Sequence, residues 1–153
     1  MRLAEVLRVE GIRTDLSAKD KDTTLRTLAR MLTEGYEGAP DEEQVYRAFS
    51  ERERLATTGV GSGVAIPHGR IEIDGFRAVV AISPKGVPFD SVDGAPAHIL
   101  FAVLAPARNP ADQLKVLARI SRVLKDQAVR SRLINAGSAQ AVFDIVAEEE
   151  LRH

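Results

Sequence analysis

The sequence contains no cysteine and no long hydrophobic run, and its charges nearly balance. Without cysteine, disulfides, thiol nucleophiles and cysteine-ligated zinc are excluded. The 21 basic and 22 acidic side chains give a formal net charge of -1, which argues against a nucleic-acid binder that relies on a general basic field. The longest apolar run, Ile99 to Ala105, is far shorter than the roughly 20 residues of a membrane-spanning helix.

Histidine is also scarce, and the N-terminal segment lacks targeting features. The three histidines, His68, His98 and His153, lie far apart in sequence, and no HExxH motif is present. We therefore expect neither a metal site nor another cofactor. Residues 1–5 include an acidic side chain and no apolar stretch, unlike a signal peptide. These absences favour a cytoplasmic protein.

The length and composition predict one ordinary globular domain. The chain has 153 residues, of which 44% are hydrophobic and 28% charged. These values are typical of a soluble protein with a proper core. The sequence has no internal repeat, low-complexity run or long linker, so we expect residues 1–153 to form a single domain.

Two helices are predicted before the middle of the chain. Apolar residues at helical spacing predict an amphipathic helix over about 19–34, which Gly35 and the Gly38-Ala39-Pro40 segment end. Asp41 followed by Gln44 resembles a capping box and predicts a second helix near 41–54.

The second half of the chain alternates between buried strands and helices. A short strand is predicted at 64–66, and continuous apolar runs at 78–82 and 99–104 predict strands covered on both faces. Asn109 and Pro110 mark the start of a helix that runs to about 125. Shorter helices are predicted over 128–136 and 139–149. Helices on both sides of a small group of buried strands indicate an α/β sandwich.

The most unusual local pattern in the sequence is the glycine-rich segment from Thr57 to Gly69. Alternate glycines can expose backbone N–H groups that bind phosphate, which makes five residues candidates: Thr58, Gly59, Gly61, Ser62 and Gly63. The Rossmann, Walker A and nucleophile-elbow spacings do not fit this segment. A plain tight loop between helix and strand is the alternative.

Three polar side chains lie where a ligand site could form. His68 follows a strand end between a proline and a glycine, and its imidazole could carry a phosphoryl group; an ordinary surface histidine is the alternative. Arg52 continues the apolar stripe of its helix and could pair with that group, or simply extend to water. Gln113 shares the inward face of its helix in the first turn, where it could lie at the rim of a ligand site. A half-exposed glutamine at the helix N-terminus is the alternative. His98 is expected to be structural.

Arg52-Glu53 and the run from Thr58 to Gly69 resemble the signature of the phosphotransferase-system enzyme IIA family of the fructose/mannitol and nitrogen-regulatory type. The resemblance covers nearly the whole chain. It implies an α/β fold with a mixed sheet sandwiched by helices. It also implies that His68 is the phosphoryl acceptor and Arg52 stabilises the phosphoryl charge. Gln113 stands where the family commonly has a second histidine.

The resemblance implies partners as well as a fold. Members accept the phosphoryl group from a phosphocarrier called HPr, or NPr in the nitrogen branch. A chain of this length without a membrane or sugar-binding domain is similar to the nitrogen-regulatory branch, whose members bind other proteins according to phosphorylation state. A sugar-transport IIA subunit that passes phosphate to a IIB partner is one alternative. An interaction module without phosphotransfer is another.

Overall fold

The computed structural model describes residues 1–38 and 40–153. These residues form six helices and a six-stranded mixed sheet. In chain order the elements are α1 (Leu3–Val6), β1 (Leu7–Arg13), α2 (Lys21–Thr33), α3 (Glu42–Leu55), β2 (Gly59–Gly61), β3 (Val64–Ala65), β4 (His68–Ile71), β5 (Arg77–Val87), β6 (Ala97–Pro106), α4 (Pro110–Val123), α5 (Gln127–Ile134) and α6 (Ala139–Leu151).

The sheet is organised around the long strand β6. Its order is β1-β5-β6-β3-β2, and β4 also pairs with β6. Strand β5 runs antiparallel to β6, whereas β3 and β4 both run parallel to it. Because β3 pairs near Ile99 and Leu100 and β4 pairs from Val103 onward, the two short strands follow one another along the same edge of β6.

Strand β6 separates two hydrophobic cores, as its continuous apolar sequence predicts. Alternate side chains point to opposite faces of a strand, so Phe101 and Val103 enter one core while Ala102 and Leu104 enter the other. The first core also contains the buried apolar residues of α1, α4, α5 and α6, and the second contains those of α2 and α3. The predicted sandwich of a mixed sheet between helices is confirmed.

The predicted helices are present with small changes at their ends. The capping box of α3 is formed, with Gln44 N donating to Asp41 Oδ1 over 2.9 Å and Asp41 N donating to Gln44 Oε1 over 3.1 Å. Helix α4 begins at Pro110 as predicted, but the side chain of Asn109 makes no capping hydrogen bond. Ala39, part of the predicted helix stop, lies outside the described residues.

Helix α1, strand β1 and the short strands β2 and β4 are present in the structure but are not predicted from the sequence. Strand β1 has no clear strand pattern because Arg8 and Glu10 interrupt its apolar residues, and it is an edge strand that pairs with β5. The segment predicted as a turn contains β2, which pairs antiparallel with β3. His68 was expected beyond a strand end, and instead it begins β4 after Pro67.

Candidate functional site

His68 lies at the point where β4 joins the sheet beside β6. It is half-buried and pairs in register with Val103. Paired residues of neighbouring strands point to the same face, and Val103 belongs to the core beneath α4 and α6. The register therefore directs the imidazole toward the face of the sheet that α4 covers.

The two ring nitrogens of His68 have different partners. Nδ1 lies 2.8 Å from the carbonyl oxygen of Ile66, and Nε2 lies 3.1 Å from Nε of Arg52. A carbonyl oxygen only accepts a hydrogen bond and a guanidinium only donates one. These partners assign the proton to Nδ1 and leave the lone pair on Nε2. The nucleophilic nitrogen is therefore the one that faces Arg52.

The surroundings of His68 favour its neutral form. Burial is the largest cause that lowers the pKa of His68, and the positive charges of Arg52 and Arg70 lower it further. The hydrogen bond to Ile66 and the charge of Glu53 act in the opposite direction without reversing the shift. A neutral imidazole is the form with a lone pair available for attack.

Arg52 reaches His68 because α3 packs closely against β4. A methyl group at position 69 would lie 3.1 Å from Cβ of Ala48 and 3.2 Å from Cδ1 of Phe49, so Gly69 permits a close approach. Arg52 follows Ala48 by about one helical turn. Its Nη1 donates to the carbonyl of Ala56 over 2.9 Å, which anchors the guanidinium at the end of the helix.

The residue after Arg52 is part of a separate buried network. The side chain of Glu53 is only 6% exposed and forms an ion pair with Lys21. It also accepts hydrogen bonds from the backbone N–H and the hydroxyl of Thr58. Sequence reasoning assigned no role to Glu53 or Lys21. The only signal was the position of Glu53 in the Arg52-Glu53 pair, and nothing in the local pattern indicated Lys21.

The glycine-rich segment uses several of its N–H groups within the protein. Thr58 N donates to Glu53, Gly59 N donates to Oγ1 of Thr57, and Ser62 N donates to Oδ2 of Asp93 over 2.9 Å. The N–H groups of Ser62 and Ala95 also lower the pKa of Asp93. At Ser62 the bound anion is therefore the protein's own carboxylate.

The glycines of this segment accommodate the loop that precedes β6. Gly59 lies against Ser91, and Gly61 and Gly63 turn the hairpin with φ of 97° and 77°. Asp93 lies beside Gly61, and His98 lies beside Gly63. Direct phosphate binding by Thr58, Gly59, Gly61, Ser62 and Gly63 stays a prediction, and at Thr58, Gly59 and Ser62 it would require the N–H groups to change partners.

Gln113 is buried in the first turn of α4, as its position in the apolar stripe predicts. Helix α4 covers the face of the sheet toward which the register directs His68. Its backbone N–H donates to the carbonyl of Asn109 over 3.1 Å. Gln113 therefore lies on the same side of the sheet as His68, whereas Arg52 approaches from α3.

Other sequence expectations can be compared with the described residues. His98 has a structural environment, since its Nδ1 lies 2.9 Å from the carbonyl oxygen of Ser83 within the sheet. Within residues 1–38 and 40–153, no group of three or more His, Asp or Glu side chains is placed to hold a metal ion. No helix in the same part of the chain is long and apolar enough to cross a membrane.

The family comparison agrees with this fold. The family described as "Phosphoenolpyruvate-dependent sugar phosphotransferase system, EIIA 2" matches residues 5–149. The chain belongs to this family, as the resemblance in its sequence indicated.

Individual relatives fall in two branches of the family. A nitrogen regulatory protein of Bradyrhizobium diazoefficiens is 35% identical over 148 residues, which cover 96% of this chain and 95% of that protein. The fructose-specific EIIA component of Haloferax volcanii is 41% identical over 109 residues, 71% of each chain. The crystal structure of the nitrogen regulatory protein IIA-Ntr from Neisseria meningitidis superposes with a TM-score of 0.88 at 27% identity, covering 94% of this chain and 98% of that one.

Proposed function

We propose that this protein accepts a phosphoryl group on Nε2 of His68 from an HPr- or NPr-type phosphocarrier and regulates partner proteins according to its phosphorylation state. The observation that carries the proposal is the pair of hydrogen bonds to the imidazole. Ile66 holds the proton on Nδ1, and Arg52 lies at the unprotonated Nε2. A nucleophile and a cation that can bind phosphoryl oxygens therefore meet at one atom.

The proposed step is an in-line displacement at phosphorus. The lone pair of His68 Nε2 forms the new N–P bond, and the bond from phosphorus to the donor atom breaks with its electron pair passing to the donor. Positive charge that develops on the ring is stabilised by the Nδ1–H hydrogen bond to the carbonyl of Ile66. Arg52 gives up its contact with Nε2 and donates to the phosphoryl oxygens. Phosphoryl transfer depends mostly on such positioning and electrostatics.

A regulatory role is favoured over sugar transport by the comparison of whole chains. The nitrogen regulatory protein of Bradyrhizobium diazoefficiens is 35% identical over 96% of this chain, whereas the fructose-specific EIIABC component of Bacillus subtilis, which covers 98% of this chain, is 29% identical. In the sugar-transport alternative, the phosphoryl group would pass from His68 to a IIB partner. In the third alternative, an interaction module, the fold would bind partners without phosphotransfer. In the proposed role, residues 1–153 act as one domain in the cytoplasm, where phosphocarriers meet their acceptors.

Intact mass spectrometry after incubation with a phosphorylated HPr-type donor tests the proposal. The parent protein should gain the mass of one phosphoryl group, and acid should remove it. His68→Ala should gain nothing, whereas the matched control His153→Ala should behave as the parent. A phosphate mass on His68→Ala, or none on the parent, would contradict the proposal. Loss of the phosphate to an added IIB-type acceptor would favour the sugar-transport alternative.

A further inference from the structure

The carboxylate of Glu53 is a buried anion at the end of α3, directly after Arg52. Its side chain is 6% exposed. It accepts hydrogen bonds from Thr58 N over 3.0 Å and from the Thr58 hydroxyl, and Lys21 Nζ lies 2.8 Å from its Oε1. Both carboxylate oxygens are therefore used. The network joins the end of α3 to the segment that leads into β2.

Lys21 is held in place from a second direction. It is the first residue of α2, and its side chain is 20% exposed. Its Nζ lies 4.8 Å from the centre of the Phe89 ring, and the carbonyl of Phe89 accepts a hydrogen bond from Thr57 Oγ1. The Phe89 ring attracts the ammonium group through its face and holds it beside the carboxylate of Glu53. Lys21 and Glu53 therefore form a neutral pair.

Glu53 directly follows Arg52 on α3, and its negative charge acts to raise the pKa of His68. The charged groups that act on the imidazole are Arg52 and Glu53 on α3 and Arg70 on β4. Gln113, the buried polar residue in the first turn of α4, is uncharged. The two arginines favour an anion at this site, and Glu53 opposes them. The attraction that a phosphoryl group meets therefore depends on how fully the charge of Glu53 is compensated.

We propose that Lys21 is a positioning residue for phosphoryl transfer, which neutralises Glu53 so that the phosphoryl group meets the charge of Arg52 without an opposing carboxylate. This inference rests on the proposed function of His68. Without Lys21, a poorly hydrated anion would remain next to the site that receives a phosphoryl dianion, and it would weaken the attraction of Arg52. Lys21 touches neither the ring nor the incoming group, and it acts through Glu53.

The test compares Lys21→Met with Lys21→Met/Glu53→Gln and with Lys85→Met, in which an exposed lysine outside the network is changed. Two quantities are measured in the full chain. One is the pKa of His68, by NMR titration of its ring protons, and the other is the initial rate of phosphate uptake from a phosphorylated HPr-type donor.

In Lys21→Met the uncompensated carboxylate should raise the pKa of His68 by at least about 0.3 units and slow uptake about fivefold or more. Replacing Glu53 as well should reverse the pKa change and recover most of the rate. Lys85→Met should match the parent in both measurements. Should Lys21→Met prove unfolded by circular dichroism, Glu53→Gln with Lys21 present should lower the pKa of His68 instead.

The two measurements separate this inference from the proposed function. The pKa of His68 can be determined whether or not the protein accepts phosphate, so a parent that gains no phosphate contradicts the proposed function alone. An unchanged pKa in both Lys21→Met and Glu53→Gln would overturn the role of Lys21. A rate loss that persists equally in the double variant would also overturn it, because that result indicates a merely structural contact.

Discussion

Nε of Arg52 donates to Nε2 of His68, so one guanidinium N–H occupies the lone pair that would attack phosphorus. A second N–H of the same group, on Nη1, is bound to the carbonyl of Ala56 at the end of α3. Arg52 can therefore release the ring nitrogen while its Nη1 stays anchored. In the proposed function, the N–H that holds the resting imidazole would donate to a phosphoryl oxygen once the N–P bond forms.

Replacing Arg52 by lysine should slow phosphate uptake while leaving the fold intact. Lysine keeps the positive charge but loses the planar donors that bind the carbonyl of Ala56 and, in the proposed function, would bind the phosphoryl group at the same time. We expect a loss of about tenfold or more in the initial rate, since removal of a single donor to a transition-state oxygen commonly costs that much. Intact mass against time measures it, and a matching thermal midpoint serves as the control. Equal rates of phosphate uptake for Arg52→Lys and the parent would contradict the role of Arg52 in stabilising the phosphoryl charge.

Phosphate uptake should continue below the pH at which an ordinary histidine becomes protonated. Burial, with smaller contributions from Arg52 and Arg70, lowers the pKa of His68 below the usual value of about 6.5. The neutral ring therefore persists as the pH falls through 6.5, and the rate should decline only at lower pH. NMR titration of His68 and the rate profile should give matching midpoints. A midpoint above 6.5 in either measurement would contradict this expectation.

The lowered pKa also predicts how stability depends on pH. A histidine that is harder to protonate in the folded state contributes nothing unfavourable above the unfolded value of about 6.5. As the pH falls below that value, the unfolded chain binds a proton more readily, so the free energy of unfolding decreases until the folded pKa is reached. Urea denaturation at several pH values should show a smaller decrease for His68→Gln than for the parent.

Installing histidine at position 113 should make the site more sensitive to pH. Gln113 is buried in α4 on the side of the sheet toward which His68 is directed, and its amide cannot titrate. In Gln113→His, phosphorylation rate or phosphohistidine lifetime should vary more steeply between about pH 5 and 8, where histidine changes charge. The parent should retain phosphate uptake, because the amide still donates. Superimposable pH profiles would show that position 113 does not act on the site.

Gly59→Ala should destabilise the protein through a clash rather than through lost phosphate binding. A methyl group there would overlap Oγ of Ser91 and lie 2.9 Å from its Cα, and backbone cannot move aside as a flexible side chain can. We expect a loss of about 1–3 kcal/mol in the free energy of unfolding. Gly75→Ala is the matched control, because a methyl group there meets nothing within 4 Å. Equal stability of the two variants in urea would contradict the packing role.

Local patterns predicted the fold better than they predicted the site. The capping box of Asp41 and Gln44 could be read from the sequence because its partners lie within one helical turn. Strand β1 could not, because its charged residues lie on the half-exposed part of an edge strand. Helical spacing placed Gln113 on the inward stripe but left a half-exposed side chain as the alternative, and the structure shows it buried.

The contacts that define the site join residues from different elements. Spacing placed Arg52 on an inward stripe and His68 near a strand end, but only the packing of α3 on β4 shows that their nitrogens meet. The pair of Lys21 and Glu53 links two helices and leaves no periodic signal in either. The glycines suggested exposed N–H groups, whereas the actual partner of Ser62 N comes from the loop before β6.

Gly69 allows α3 to pack close to β4. Because it has no side chain, Ala48 and Phe49 approach the strand backbone directly, and the helix end that bears Arg52 lies within hydrogen-bonding reach of the neighbouring His68. A methyl group at position 69 would lie 3.1 Å from Cβ of Ala48, so the helix or the strand would have to shift by a few tenths of an ångström to admit it. The contact between Arg52 and the imidazole therefore depends on the absence of a side chain at position 69, so a steric property of one residue supports an electrostatic interaction of its neighbour.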